Sequence, residues 1–210
     1  MKIFSIELSS RFGSIAILEQ GVVTAEKSWE ENFKNRQQLF DAMSELETDW
    51  PSVDLFAVGR GPGAFSGMRI GFTVINALAA PEKKHVYALN SGAALASICG
   101  AEKTVVVGDA RRNKVWTGVF QGHELDGEFQ LMERDELQAF VPEGSLVVSP
   151  DQDRLKELLA GFQGLEEPKF PTAGKLGELV FDRFMKNVAS EPFEPLYMHP
   201  PVFIEPRFPA

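Results

Sequence analysis

The sequence predicts an α/β protein made of two related units, each with a mixed sheet and flanking helices. Three observations predict it. The chain opens with three apolar stretches of strand length, residues 2–8, 13–18 and 22–28. Helix-like and strand-like stretches then alternate. Near the middle, Thr104-Val105-Val106-Val107-Gly108 starts the pattern again with a strand apolar on both faces. The expected division is a unit of residues 1–101 and a unit of residues 102–210 with a proline-rich tail.

Each element has a local reason. In residues 2–8, Ile3, Phe4, Ile6 and Leu8 are apolar, and Glu19-Gln20-Gly21 is a hairpin turn between the next two strands, with Gly supplying positive φ. Asn32 is the expected N-cap of a helix over residues 33–46, where Phe33, Leu39, Phe40, Met43 and Leu46 recur at mostly helical spacing. Trp50-Pro51 stops it. Residues 54–59 form a short buried strand, followed by a glycine loop, a helix over 66–80 ended by Pro81, a strand over 85–89, and a helix to about Cys99 capped by Ser91. In the second half, strands are expected at 104–108, 114–121, 128–133 and 145–149, and helices at 151–160 and 173–187. Six prolines after Ser190 predict an extended ending.

Bulk composition narrows the function. The 210 residues are 44% hydrophobic and 24% charged, ordinary for a soluble globular protein. The formal net charge is -9; residues 1–100 carry 9 basic and 11 acidic side chains, and residues 101–210 carry 12 and 19. No basic stripe is present, so unaided nucleic-acid binding is disfavoured, and a partner would have to supply positive surface. The one cysteine, Cys99, lies in an apolar run and reads as a small buried side chain. Glu7 interrupts the first apolar run, so it does not read as a signal peptide, and residues 70–80 are too short to span a bilayer. The expected location is the cytoplasm, with no membrane partner.

The stretch Gly59-Arg60-Gly61-Pro62-Gly63-Ala64-Phe65-Ser66-Gly67-Met68-Arg69 sits between strand and helix, where anions commonly bind. Its pattern lacks the lysine of a P-loop, and the third glycine of a dinucleotide fingerprint comes one residue late. Pro62 also removes one N–H. The alternative is a tight corner that brings the helix close to the sheet. In that helix only Thr73 and Asn76 are polar from Ile70 to Ala80, and nothing is charged. It is either buried within its own unit or turns a second face, with Gly67 and Gly71 allowing close approach, to another protein.

Catalytic constellations are sparse. His85, His123 and His199 are scattered, with no metal-binding pair. Ser66 is not in a nucleophile elbow. Glu7 reads as an edge carboxylate capping the Ser9–Ser10 turn, or as an acid/base or magnesium ligand. Asp109, followed by Arg111 and Arg112, is the best remaining polar cluster.

Four segments in order resemble the bacterial TsaB proteins, also called YeaZ-like: residues 58–71 with the glycine loop, 2–23 with the opening hairpin, 108–120 with Asp109-Ala110-Arg111, and 195–203 near the end. The resemblance covers nearly the whole chain. It implies the actin/Hsp70/sugar-kinase-like fold of two small lobes. It also implies a non-catalytic subunit in making threonylcarbamoyladenosine at position 37 of transfer RNA, contacting the RNA only indirectly. The implied partners are a larger catalytic paralogue of TsaD type, a TsaE-like ATPase and, in isolation, a second copy. No intrinsic cofactor is implied, with ATP only within the complex. The family surface maps onto the helices of residues 33–46 and 66–80, so the expected interface residues are Phe33, Leu39, Phe40, Met43, Gly67, Met68, Gly71, Phe72 and Ile75. Glu7-Leu8 stands where the family usually has Asp-Thr, Asn35 where a His is common, and Ile75-Asn76 at a position often basic or small; these departures weigh against a residual nucleotide or metal role. Competing readings are a small ATP-dependent phosphotransferase of the same fold and a glycoprotease-like peptidase.

Overall fold

In the computed structural model, which describes residues 1–31 and 37–199, the first strand becomes the middle of a sheet. β1 (Lys2–Glu7) pairs antiparallel with β2 (Phe12–Glu19), and β2 with β3 (Val22–Glu30). The β2–β3 turn carries Gln20 and Gly21 through positive φ, 50° and 79°, which matches the twist of a two-residue hairpin. After α1 (Gln38–Glu45), β4 (Leu55–Gly59) joins the free side of β1 in parallel. Then come α2 (Phe65–Ala79), β5 (His85–Leu89), parallel to β4, and α3 (Ser91–Cys99). The sheet order is β3-β2-β1-β4-β5.

The second sheet holds β6 (Lys103–Arg111), β7 (Lys114–Gln121), β8 (Glu124–Leu125), β9 (Gln130–Glu133) and, beyond α4 (Leu137–Phe140), β10 (Leu146–Val148). Its order is β10-β6-β7-β8, with β9 also on β7; β10 is parallel to β6 and the rest antiparallel. α5 (Gln152–Leu159) and α6 (Ala173–Met185) follow.

Strand alternation sorts the core into layers. Phe4 and Ile6 of β1 face one side, where Leu39 and Ala42 of α1 and Phe72, Ile75 and Ala79 of α2 cover them. Ile3 faces the other side, under α3 and α6. α3 is buried from Ser91 to Ala96 because it lies between α6 and the second sheet, in one core cluster with Leu176, Leu179, Val106, Trp116 and Phe120. Small side chains there let both approach. α6 comes from the second half of the sequence but packs on the first sheet, with Leu176, Leu179 and Val180 in the same cluster as Ile3 and Leu18. A Cβ added at Gly177 would meet the Leu18 side chain, so glycine lets α6 sit low on β2 with Leu18 undisturbed.

Several boundaries differ from the sequence reading. The expected cap Asn32 lies outside the described residues, and the first helix is described from Gln38 to Glu45. Residues 128–129 are not part of β9, and β8 lies where a loop was expected. The 3-10 turn Arg134–Glu136 and α4 were not anticipated; their signal is a capping box in which Glu133 and Glu136 exchange hydrogen bonds with each other's backbone, a variant of the usual Ser/Thr form. α3 is capped by Asn90, whose Oδ1 accepts the Ala93 N–H at 2.8 Å, not by Ser91.

Leu176→Ala removes a fully buried side chain beneath the first sheet and is expected to cost about 2–5 kcal/mol in urea unfolding. Phe40→Ala, on the outer side of α1, is expected to stay within about 0.5 kcal/mol of the parent in the same assay.

Candidate interaction site

The glycine loop answers a packing demand. Gly61 has φ 89°, and its peptide bond to Pro62 is cis. The Gly61 N–H donates to Ser91 Oγ at 3.0 Å, Ser91 N–H returns to Gly61 O at 2.8 Å, and Ala64 N–H donates to Ser9 O at 2.7 Å. A Cβ added at Gly63 would lie 2.0 Å from Ser9 O, and one at Gly67 would lie 2.0 Å from Leu8 O. Both obstacles are backbone oxygens, which no rotamer change can move. The loop therefore lays the start of α2 directly on the β1–β2 turn. Two of its amide donors serve that corner, and Pro62 has none. Met68 folds back beneath Gly61, where a Cβ would meet its sulfur at 2.2 Å. Ser66 and Arg69 are exposed, and the Arg69 guanidinium lies over the Phe65 ring at 5.3 Å.

Glu7 is not an edge carboxylate. It ends the central strand and is 0% exposed. Oε1 accepts the Ser9 N–H at 2.7 Å, so the capping part of the reading holds. Oε2 reaches across to β4, where it would be 1.9 Å from a Cβ at Gly59, and has no hydrogen-bond partner among the described residues. Gly59 thus makes room for a carboxyl group. Burial pushes the Glu7 pKa upward, opposed by hydrogen bonding at Ser9.

The expected interface residues are redistributed by the helix period. Met68, Gly71, Phe72, Ile75 and Ala79 recur every three or four residues and form the stripe of α2 buried against its own sheet. Met68, Gly71, Phe72, Ile75 and, on α1, Leu39 are therefore corrected from surface anchors to core residues. Met43 is half-buried in the same core, and Gly67 is half-buried against Leu8. Phe40 is 56% exposed and stays available. Phe33 lies outside the described residues. What α2 turns outward is Phe65, Ser66, Arg69, Ile70, Thr73, Asn76, Ala77 and Ala80, with Phe65 at 56% and Ile70 at 46% exposure. Arg69 is the one charge on this face. Ile70 was legible as the position out of phase with the Met68–Phe72–Ile75 stripe; Phe65, seven residues before Phe72, is in phase with it and is exposed as the first residue of the helix.

In the second sheet, Asp109 pairs with Arg111 at 3.1 Å as expected, but its second arginine is Arg134 at 3.3 Å, which sequence spacing did not reveal, in place of the expected Arg112. Asp151 accepts the Asp109 N–H at 3.0 Å, and burial raises its pKa. Cys99 is half-buried, and burial pushes its thiol up to about 11. Among the described residues, no group of three or more His, Cys, Asp or Glu is placed to hold a metal ion, and no helix is long and apolar enough to cross a membrane.

Two mixed sheets with a hairpin-led first lobe, joined through buried helices, define the actin/Hsp70/sugar-kinase-like class. Solved structures share it. YeaZ from Pseudomonas aeruginosa aligns with a TM-score of 0.77 at 24% identity over 93% of this chain and 99% of that one. The activator of 2-hydroxyisocaproyl-CoA dehydratase from Clostridium difficile, with bound ADPNP, aligns with a TM-score of 0.51 at 8% identity over 89% and 97%. At these identities the likeness is one of fold. Residues 24–132, just over half of the chain, match the family model described as TsaD, tRNA N6-adenosine threonylcarbamoyltransferase, and the chain belongs to that family. Within it the chain is TsaB/YeaZ-like: it is 25% identical over 131 residues to the tRNA threonylcarbamoyladenosine biosynthesis protein TsaB of Escherichia coli K12, covering 59% of this chain. The match spans 57% of that protein's length.

Gly63→Ala and Gly67→Ala are each expected to destabilise by about 2 kcal/mol or more, because the new methyl meets backbone. Gly71→Ala, whose nearest Cβ contact is 3.4 Å from Val58 Cγ2, is expected to be neutral or to gain up to about 1 kcal/mol from helix propensity; urea midpoints rank the three. Glu7 gives a pH test. Its pKa lies above the ordinary 4.5 in the folded chain, so the folded state keeps a proton that the unfolded state loses. Its contribution is fully present below 4.5 and declines as pH rises through the folded pKa. Urea unfolding of Glu7→Gln against the parent, from pH 4 to 8, is expected to show the variant's relative stability climbing with pH.

Proposed function

We propose that this chain is an accessory, non-catalytic subunit in the synthesis of threonylcarbamoyladenosine at position 37 of transfer RNA, and that it acts by pairing with a larger TsaD-like catalytic paralogue. The observation that carries this reading is the outer face of α2. Fifteen residues of helix and the C-cap Ala80 present Phe65, Ile70, Ala77 and Ala80 to solvent with one charge, Arg69, in a chain whose net charge is -9. A lone protein gains nothing from such a face, whereas a helix–helix interface needs it. Phe40 on α1 adds an exposed aromatic from the element that shares the same side of the sheet. An interface of ordinary size would bury about 800 Å² on each partner.

Family membership supports the reading, as does the printed role of the Escherichia coli relative. Acidity is consistent with it too: the RNA would be held by other members of the assembly, among them a TsaE-like ATPase, with this chain touching it only indirectly. In isolation the same face would pair two copies, and the paralogue would displace the second copy.

Calorimetric titration of the chain with the catalytic paralogue tests this. Ile70→Asp and Phe65→Asp are each expected to weaken pairing about 30-fold or more while circular dichroism and urea midpoint stay unchanged. Met185→Asp, an exposed apolar residue on α6, is expected to leave pairing intact. Full-strength pairing by the two α2 variants would overturn the proposal.

A further inference from the structure

We propose that residues 188–199 form a latch that gates the apolar face of α2; the proposal rests on the reading of that face as the docking surface. The starting observation is Arg60, which opens the glycine loop and is only 7% exposed. A buried guanidinium is costly unless its donors are matched. Both described side-chain partners of Arg60 lie on the tail: Nε donates to Glu194 O at 3.1 Å, and Nη1 reaches Glu191 Oε2 at 3.4 Å. The Arg60 carbonyl accepts the Leu196 N–H at 2.8 Å.

Glu191 is the hub of the latch. Its second oxygen accepts from Asn90 Nδ2 at 2.7 Å, and its N–H donates to Ala88 O at 3.1 Å, making an antiparallel bridge on the outer edge of β5. The Ala88 N–H donates to Ser190 Oγ at 2.9 Å, and Tyr87 Oη lies 2.9 Å from Ala189 O and 3.0 Å from Val188 O. The tail is thus read by side chains and by a strand edge, as a bound peptide would be.

What it covers gives the contact its consequence. The Phe193 ring packs on Phe72 with centroids 4.9 Å apart, and the Tyr197 ring packs on Phe65 at the same separation. Both covered residues belong to the N-terminal half of α2. With the tail seated, Tyr197 covers part of Phe65 and Phe193 covers the outer edge of Phe72, while Phe65 and Ile70 stay about half exposed. With the tail released, Phe65 and the outer edge of Phe72, whose inner side stays in the core, add apolar area to what α2 already turns outward.

The test uses the full chain carrying Glu191→Ala, and a double variant, Arg60→Met with Glu191→Ala, which removes the orphaned buried charge and so separates latch release from loss of folding. Amide exchange over 188–199 is expected to quicken about tenfold while the core strands are unchanged. Binding of the apolar dye ANS is expected to rise several-fold and to fall back when Ile70→Asp is added. Pairing with the catalytic paralogue is expected to tighten about threefold, because less of the chain is held in the covered state. Unchanged exchange, or faster exchange with no gain in dye binding, would overturn the latch and leave the tail as a cap on the β5 edge. Failure of the docking reading has a different signature: dye binding rises as described, yet Ile70→Asp does not affect pairing.

Discussion

The glycine-loop end of the first lobe depends on a close approach of backbone to backbone. The amide planes at Gly63 and Gly67 lie where any side chain would collide with the carbonyls of Ser9 and Leu8. That contact sets where α2 begins, and therefore which of its faces the sheet receives. Met68, Phe72 and Ile75 go inward because the helix starts flush with the β1–β2 turn. Phe65 and Ile70 go outward for the same reason. The conspicuous glycines thus act through the space they leave, and their effect is felt along the helix that follows.

The same corner draws in the opposite layer of the sheet. Ser91 opens α3 and exchanges hydrogen bonds with Gly61, while Gly59 leaves room for the Glu7 carboxyl. One strand-end carboxyl, one helix start and one loop are locked together in the interior. Glu7 carries a methylene more than the Asp usual in the TsaB-like pattern, and that length lets it span from β1 to β4. Arg60 extends the arrangement outward to the tail, so elements distant in sequence converge on the residues between β4 and α2.

Strands and long helices were largely legible in the sequence, since alternation and helical spacing are local signals. The three-strand opening, the parallel strands after it and α6 all carry such patterns. The residues that were misplaced show what is not local. Phe72 and Ile75 read as surface anchors because an almost uncharged helix has no polar side to mark its orientation; the orientation came from Gly63 and Gly67, through contacts with a turn more than fifty residues earlier. Glu7 read as peripheral because nothing in its neighbours says that β1 becomes the central strand. Arg134 joined Asp109 only through the pairing of β9 with β7. The small-residue character of α3 was visible, but its cause, a helix packed between α6 and the second sheet, required the tertiary arrangement.

The placement of α6 has a consequence for how the protein comes into being. This helix covers Ile3 and Leu18 but leaves the ribosome more than 150 residues after them. During synthesis the first sheet emerges with one greasy side unshielded, and it waits through the whole second half for its cover. A nascent chain in that state is a natural client for holdase chaperones. The first sheet therefore gains its cover only after the strands of the second have been made.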